Sequence, residues 1–157
     1  MVIIEMDNGK EIEIELCPEA APKTVANFES LVKAGFYDGL TFHRVIPGFM
    51  IQGGDPLGNG MGGSEKKIVG EFRANGFQNP IKHERGVISM ARAYDPNSAS
   101  SQFFIMHANA PHLDGQYAAF GKVVSGMDAV DEIASIPTDY SARPKLAMRM
   151  KRVYIED

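Results

Sequence analysis

The sequence predicts a mainly β protein, an antiparallel sandwich or closed barrel of about eight short strands with two helices over the open ends. Three observations carry this. The second strand of the first hairpin, EIEIEL, alternates strictly between apolar and charged residues. Strand-like runs are then separated by glycine and proline turns rather than by helices, which disfavours a βαβ sheet. Finally, only two stretches have helical periodicity, and an even strand count near eight favours closure into a barrel.

The elements follow in order. Val2 to Met6 and Lys10 to Leu16 flank Asp7-Asn8-Gly9, and Asn-Gly suits a turn that needs positive φ. In EIEIEL, Ile12, Ile14 and Leu16 share one face and three glutamates the other, so one face is wet. Pro18 and Pro22 end that strand, and Cys17 reads as a small buried hydrophobe beside it. A helix from about Glu19 to Ala34 places Val25, Phe28, Leu31 and Val32 on one stripe, with Gly35 where a terminating glycine belongs. Strands are then expected over Leu40 to Ile46 and Phe49 to Gln52, hinged at Pro47-Gly48. A long glycine-rich loop, GGDPLGNGMGGSEKK, follows. Further strands fit Gly86 to Ala91, Gln102 to Met106, Ala118 to Val123 and Leu146 to Ile155. The last changes phase between Met150 and Val153, which predicts a bulge near Lys151 and Arg152. A second helix fits Met127 to Ile136, with Met127, Val130, Ile133 and Ala134 inward.

Composition narrows the function. The 157 residues suit a single domain spanning 1–157, and 44% hydrophobic with 23% charged residues excludes a disordered chain. A net charge of −4 argues against nucleic acid, whose affinity rests on lysine and arginine displacing counterions. No apolar run approaches a membrane span, the MVIIEMDNGKE start does not resemble a leader, and one cysteine calls for no oxidising compartment. A cytoplasmic protein without membrane contact is expected.

Most familiar site patterns fail. Gly58, Gly60 and Gly63 spell G-x-G-x-x-G, but EKKIVGEF has no helical stripe to aim N–H groups at a pyrophosphate, and no Gly-Lys-Ser/Thr follows. A calcium loop from Asp55 would need ligands where Leu57 and Lys66 stand. The four histidines have no metal-ligand spacing; His43 reads as a hydrogen-bonded core histidine in a strand, and His112 as an exposed loop residue. No G-x-S-x-G elbow exists, so Ser98, Ser100 and Ser101 read as turn residues.

Two segments resist a bland reading. In FHRVIPGFMIQGGD, Arg44 shares a phase with Phe42 and Ile46, and arginine on an apolar face is costly unless paired with a surface carboxylate or poised at a cleft. In SQFFIMHANAPHLDGQYAAFGKV, Gln102 and Phe104 share a face, which suits a ligand partly apolar and partly carbonyl-like.

At these residues the chain resembles the cyclophilin family of peptidyl-prolyl cis/trans isomerases. The match extends over the N-terminal hairpin, PEAAPKTVANFESLVKAGFYDGLTFHRVIPGFMIQGGDP, the glycine loop, GVISMARA, SQFFI and LDGQYAAFGKVVSGMDAVDEI. The resemblance implies a closed eight-stranded antiparallel barrel capped by two helices, packed inside, with a substrate groove on its outer wall. It implies Arg44 as catalytic residue with Gln52, a proline pocket of Phe49, Met50, Phe104 and Leu113, and groove residues His43, Gly60, Gln102 and Tyr117. Ala91 and Arg92 match the segment along which the peptide lies. His112 stands where a tryptophan often lines the rim, Tyr117 where a histidine is common, and Arg92 where an asparagine is common; the tyrosine resembles bacterial cytoplasmic members. The partners implied are proline-containing peptides and unfolded proteins, with weak cyclosporin binding, no cofactor or metal, and a monomer. A proline-peptide binding module and a barrel with an internal ligand are the alternatives from other classes.

Overall fold

The computed structural model describes residues 1–156. Eight strands run as β1 (Val2–Met6), β2 (Glu11–Leu16), β3 (Arg44–Ile46), β4 (Met50–Gly53), β5 (Val87–Met90), β6 (Phe103–Met106), β7 (Ala119–Ser125) and β8 (Met150–Ile155). Two helices, α1 (Pro22–Lys33) and α2 (Met127–Ala134), join them, with single 3-10 turns at Arg73–Asn75 and Pro111–Leu113. Every strand pair is antiparallel, in the order β3-β4-β6-β5-β7-β2-β1-β8.

The sheet curls into a half-barrel, which corrects the closed barrel expected from sequence. β3 and β8 are its edges. Between them lie one isolated bridge, Thr41 to Arg149, and backbone hydrogen bonds from Phe42 to Met148 and from Met150 to Leu40. A ladder is lost there because Phe42 and His43 are both buried, so the alternation a strand requires fails just before Arg44. For the same reason β3 starts at Arg44 rather than Leu40. Phe42 faces the core while Arg44 faces solvent, so the two do not share a face as predicted.

Helix α1 begins at Pro22 because proline's fixed φ and missing N–H suit the first helical position; Glu19 to Ala21, predicted helical, form the preceding turn. The Thr24 N–H and hydroxyl donate to the buried Glu71 carboxylate at 2.6 and 2.8 Å, holding the helix start. Its end is met by Gly35 at φ +73°. The predicted bulge is present: Glu5 pairs with Arg152 and Met6 with Met150, leaving Lys151 as the extra residue. Cys17 is half-buried rather than buried, and burial together with Glu19 and Glu15 raises its thiol pKa.

Two apolar clusters form on opposite faces of the sheet. The larger fills the concave side, where Ile4, Ile12, Ile14, Ile51, Phe103, Ile105 and Phe120 meet Phe28 of α1 and Val130 of α2. The smaller lies on the outer wall around Met50, Phe104, Met106 and Leu113. Strand β6 serves both: Phe103 and Ile105 point inward, Phe104 and Met106 outward, so FFIM is buried throughout. That outer cluster is the floor of the candidate site.

Candidate active site on the outer wall

The β3–β4 register sets Arg44 opposite Gln52. A chain of amides runs from there. Arg44 Nη1 donates to Gln52 Oε1 at 3.4 Å, Gln52 Nε2 donates to Gln102 Oε1 at 2.9 Å, and Gln102 Nε2 donates to the Gly60 and Gly62 carbonyls at 3.1 and 2.7 Å. The guanidinium is exposed, and among the described residues it has no carboxylate partner, so the surface ion pair weighed for Arg44 is not formed. Arg44 lines the adjoining recess.

Beside it lies an apolar recess of about 150 Å³, lined by Phe49, Met50, Phe104, Leu113 and Tyr117, with Ala91 and Arg92 along the rim. Phe104 is fixed by Tyr117 at 5.7 Å, edge to face, and by stacking on His83 at 6.0 Å. His112, which does not line the recess itself, stacks on Phe49 with centroids 5.9 Å apart. Arg92 is held in place on all sides. Its Cζ lies 4.9 Å from the Phe72 ring and 4.8 Å from the Tyr117 ring, and its N–H groups donate to the carbonyls of Gln116, Ala93 and Tyr94. Its side chain therefore braces Tyr117, while its backbone borders the recess.

His43 corrects another expectation. It is buried, but neither ring nitrogen has a hydrogen-bond partner. The nearby Gln102 amide donates to Gly60 and Gly62 and accepts from Gln52. Burial, opposed in part by Asp55, holds the His43 pKa below its ordinary value, with Arg143 and Arg44 adding to the effect. His43 is not in the recess; it lies behind Arg44, 3.8 Å from where a Gly60 β-carbon would sit. The structure thus brings Arg44, Phe49, Met50, Gln52, Ala91, Arg92, Phe104, Leu113 and Tyr117 around one recess, with Gly60 and Gln102 in the adjoining wall and His112 above.

Three site-supporting groups escape the sequence reading. Asp55 is buried, and its carboxylate accepts N–H bonds from Leu57 at 2.8 Å, Asn59 at 3.0 Å and Gly60 at 2.6 Å. Burial alone would raise its pKa, but the backbone N–H groups of Leu57, Gly62, Asn59 and Gly60 outweigh that and lower it. A β-carbon on Gly62 would collide with this carboxylate, so the loop closes around Asp55 only with glycine there. The second group is a buried pair, His83 and Ser89: His83 Nε2 lies 2.9 Å from Ser89 Oγ and its Nδ1 3.2 Å from Asp114 Oδ1. They underlie Phe104 out of reach of substrate. The third is Arg143. The only signal for Asp55 was an acid heading a glycine loop; the others depend on long-range contacts.

A family model described as cyclophilin type peptidyl-prolyl cis-trans isomerase matches residues 1–155. The chain is similar to peptidyl-prolyl cis-trans isomerase B of Bacillus subtilis, 54% identical over 78% of this chain and 82% of that one. It is 50% identical to a peptidyl-prolyl cis-trans isomerase of Schizosaccharomyces pombe over 91% of this chain and 90% of that one. Among solved structures, it resembles a cyclophilin type peptidyl-prolyl cis-trans isomerase of Cryptosporidium parvum, solved in the presence of the dipeptide Ala-Pro. The TM-score is 0.90 and the identity 35%, with 99% of this chain and 98% of that chain covered.

Proposed function

The chain belongs to the cyclophilin-type peptidyl-prolyl cis-trans isomerase family and is an isomerase of that kind; from this premise we propose that Arg44 accelerates X-Pro rotation by donating to the prolyl nitrogen of the twisted bond. The observation that carries the reading is the exposed Arg44 guanidinium, free of any carboxylate among the described residues, beside an apolar recess suited to a proline ring.

The chemistry needs little more. An amide nitrogen delocalises its lone pair into the carbonyl, which gives a rotation barrier of about 18–20 kcal/mol. Twisting localises that lone pair, so a donor aimed at the nitrogen stabilises the transition state and not the planar ground states. No σ-bond breaks, so the step requires no nucleophile, metal or cofactor. Phe49, Met50, Phe104 and Leu113 grip the ring, while Gln52 and the Ala91–Arg92 stretch hold the peptide so that one side of the bond turns. Burying the ring contributes about 2 kcal/mol, by analogy with other apolar side chains, which implies broad and weak binding. That a relative was solved with Ala-Pro present supports proline-containing peptides as ligands here.

The biological reading follows the chemistry: one isomerase domain, monomeric and cytoplasmic, acting on unfolded chains during folding. No helix among the described residues is long and apolar enough to cross a membrane. The test is the catalysed cis-to-trans rate of a short X-Pro peptide. Arg44→Ala should reduce it on the order of 10²- to 10³-fold, the usual loss for one transition-state donor; full activity in that variant refutes the role.

A further inference from the structure

We propose that the groove continues past Arg44 into a cationic recess that takes an anionic side chain, Asp, Glu or a phosphorylated residue, flanking the substrate proline. The inference rests on the isomerase reading and adds a substrate preference to it. A recess of about 410 Å³ adjoins the proline pocket, sharing Arg44 and Gln52 with it, and carries Arg143 on its far side. It opens through His43, Gly58 and Arg143 into a second recess of about 420 Å³ edged by Lys145 and Arg149.

Charge marks the ligand. Four cations, Arg44, Arg143, Lys145 and Arg149, gather here on a chain whose net charge is −4. Among the described residues none of the four has a carboxylate within 4.0 Å. The two acids that line the recesses are already engaged: Asp55 accepts from its own loop, and Asp139 Oδ1 accepts the N–H groups of Ser141 at 2.8 Å and Arg143 at 3.1 Å. Neither carboxylate lies within 4.0 Å of any of the four cationic groups. His43, which lines both recesses, is buried with two unpartnered ring nitrogens.

Arg143 is presented by a built turn. Asp139 N–H donates to the Arg143 carbonyl at 2.9 Å, which closes the turn. Its crown is Ala142 at φ +63°, the one non-glycine residue with positive φ among the described residues. Such a conformation persists only when its surroundings impose it. Here the Ala142 carbonyl accepts the Val45 N–H at 2.8 Å, so the strained turn is tied to β3 one residue from Arg44. Arg44 and Arg143 thereby line the same recess.

The test uses the full chain and two peptide series, with Glu or Gln two residues before or two residues after the proline. The wild type should prefer Glu over Gln in kcat/KM by about fivefold in one series, the size of one exposed ion pair, and the preference should fade at high salt. Arg143→Gln should bring that ratio to about one, Arg143→Lys should keep part of it, and Lys122→Gln, outside the groove, should leave it intact. Equal turnover of Glu and Gln peptides in both series, or a preference indifferent to Arg143→Gln, overturns the proposal while the isomerase reading stands. Binding of inorganic phosphate without any peptide preference overturns it in favour of a free-anion site. Failure to turn over any peptide overturns both.

Discussion

Arg44 and His43 are chain neighbours with opposite environments, one exposed and the other buried. Burial lowers the pKa of His43 and also of His83, for which Asp114 offsets part of the effect. The folded chain therefore binds fewer protons at these rings than the unfolded chain does. Their contribution is fully present above about pH 6.5 and is lost as pH falls below it. The urea midpoint should be lower at pH 5 than at pH 7.5; an unchanged midpoint contradicts this. His112 gives a second residue-level prediction. It stacks on Phe49 where an indole N–H donor is absent, so cyclosporin should inhibit weakly, and a nanomolar inhibition constant would refute that inference. Arg44 stood out by its apolar neighbours, and Gln102 with Phe104 by their shared phase, whereas Phe49, Met50, Gln52, Ala91, Arg92, Leu113 and Tyr117 were legible only through the resemblance to the cyclophilin family. Asp55 and Arg143 were not, since their roles arise from a loop folding back on one carboxylate and a turn docking on β3.

The elements were largely readable where periodicity was strong. The alternation of EIEIEL, the stripe of α1 and the phase change at Lys151 each correspond to a real feature. The strand before Arg44 was misread because apolar composition there serves two buried neighbours, Phe42 and His43, rather than one face of a ladder. Helix α1 is tied to the sheet by Phe28, whose ring meets Tyr37, Phe103 and Phe120 at 5.2, 5.6 and 5.0 Å. Phe28→Ala should cost about 3–5 kcal/mol in denaturant unfolding, as for other fully buried aromatics. The glycine loop makes a contrasting prediction. Gly62→Ala would force Asp55 and the loop apart, so the catalysed rate should drop while global stability changes by less than in Phe28→Ala. Equal rates in wild type and Gly62→Ala would show that the Asp55-centred loop does not shape the groove.

At the scale of the molecule, the curled sheet separates two tasks. Its concave face holds a continuous apolar core under both helices, and its outer wall carries the smaller cluster on which the groove is built. β6 connects the two, so Phe104 is held from behind by the packed Phe103 and Ile105 layer. A rigid floor suits a catalyst that must hold a proline ring still while the rest of the peptide turns. The central claim is that Arg44 acts on the twisted bond and not on the bound peptide. It is tested by measuring, for wild type and Arg44→Ala with the same X-Pro peptide, both the equilibrium affinity and the exchange rate on the enzyme by NMR. The exchange rate should fall on the order of 10²- to 10³-fold while affinity changes by less than about fivefold. A variant that loses affinity in proportion to its kcat/KM, with exchange on the bound peptide unimpaired, would contradict it.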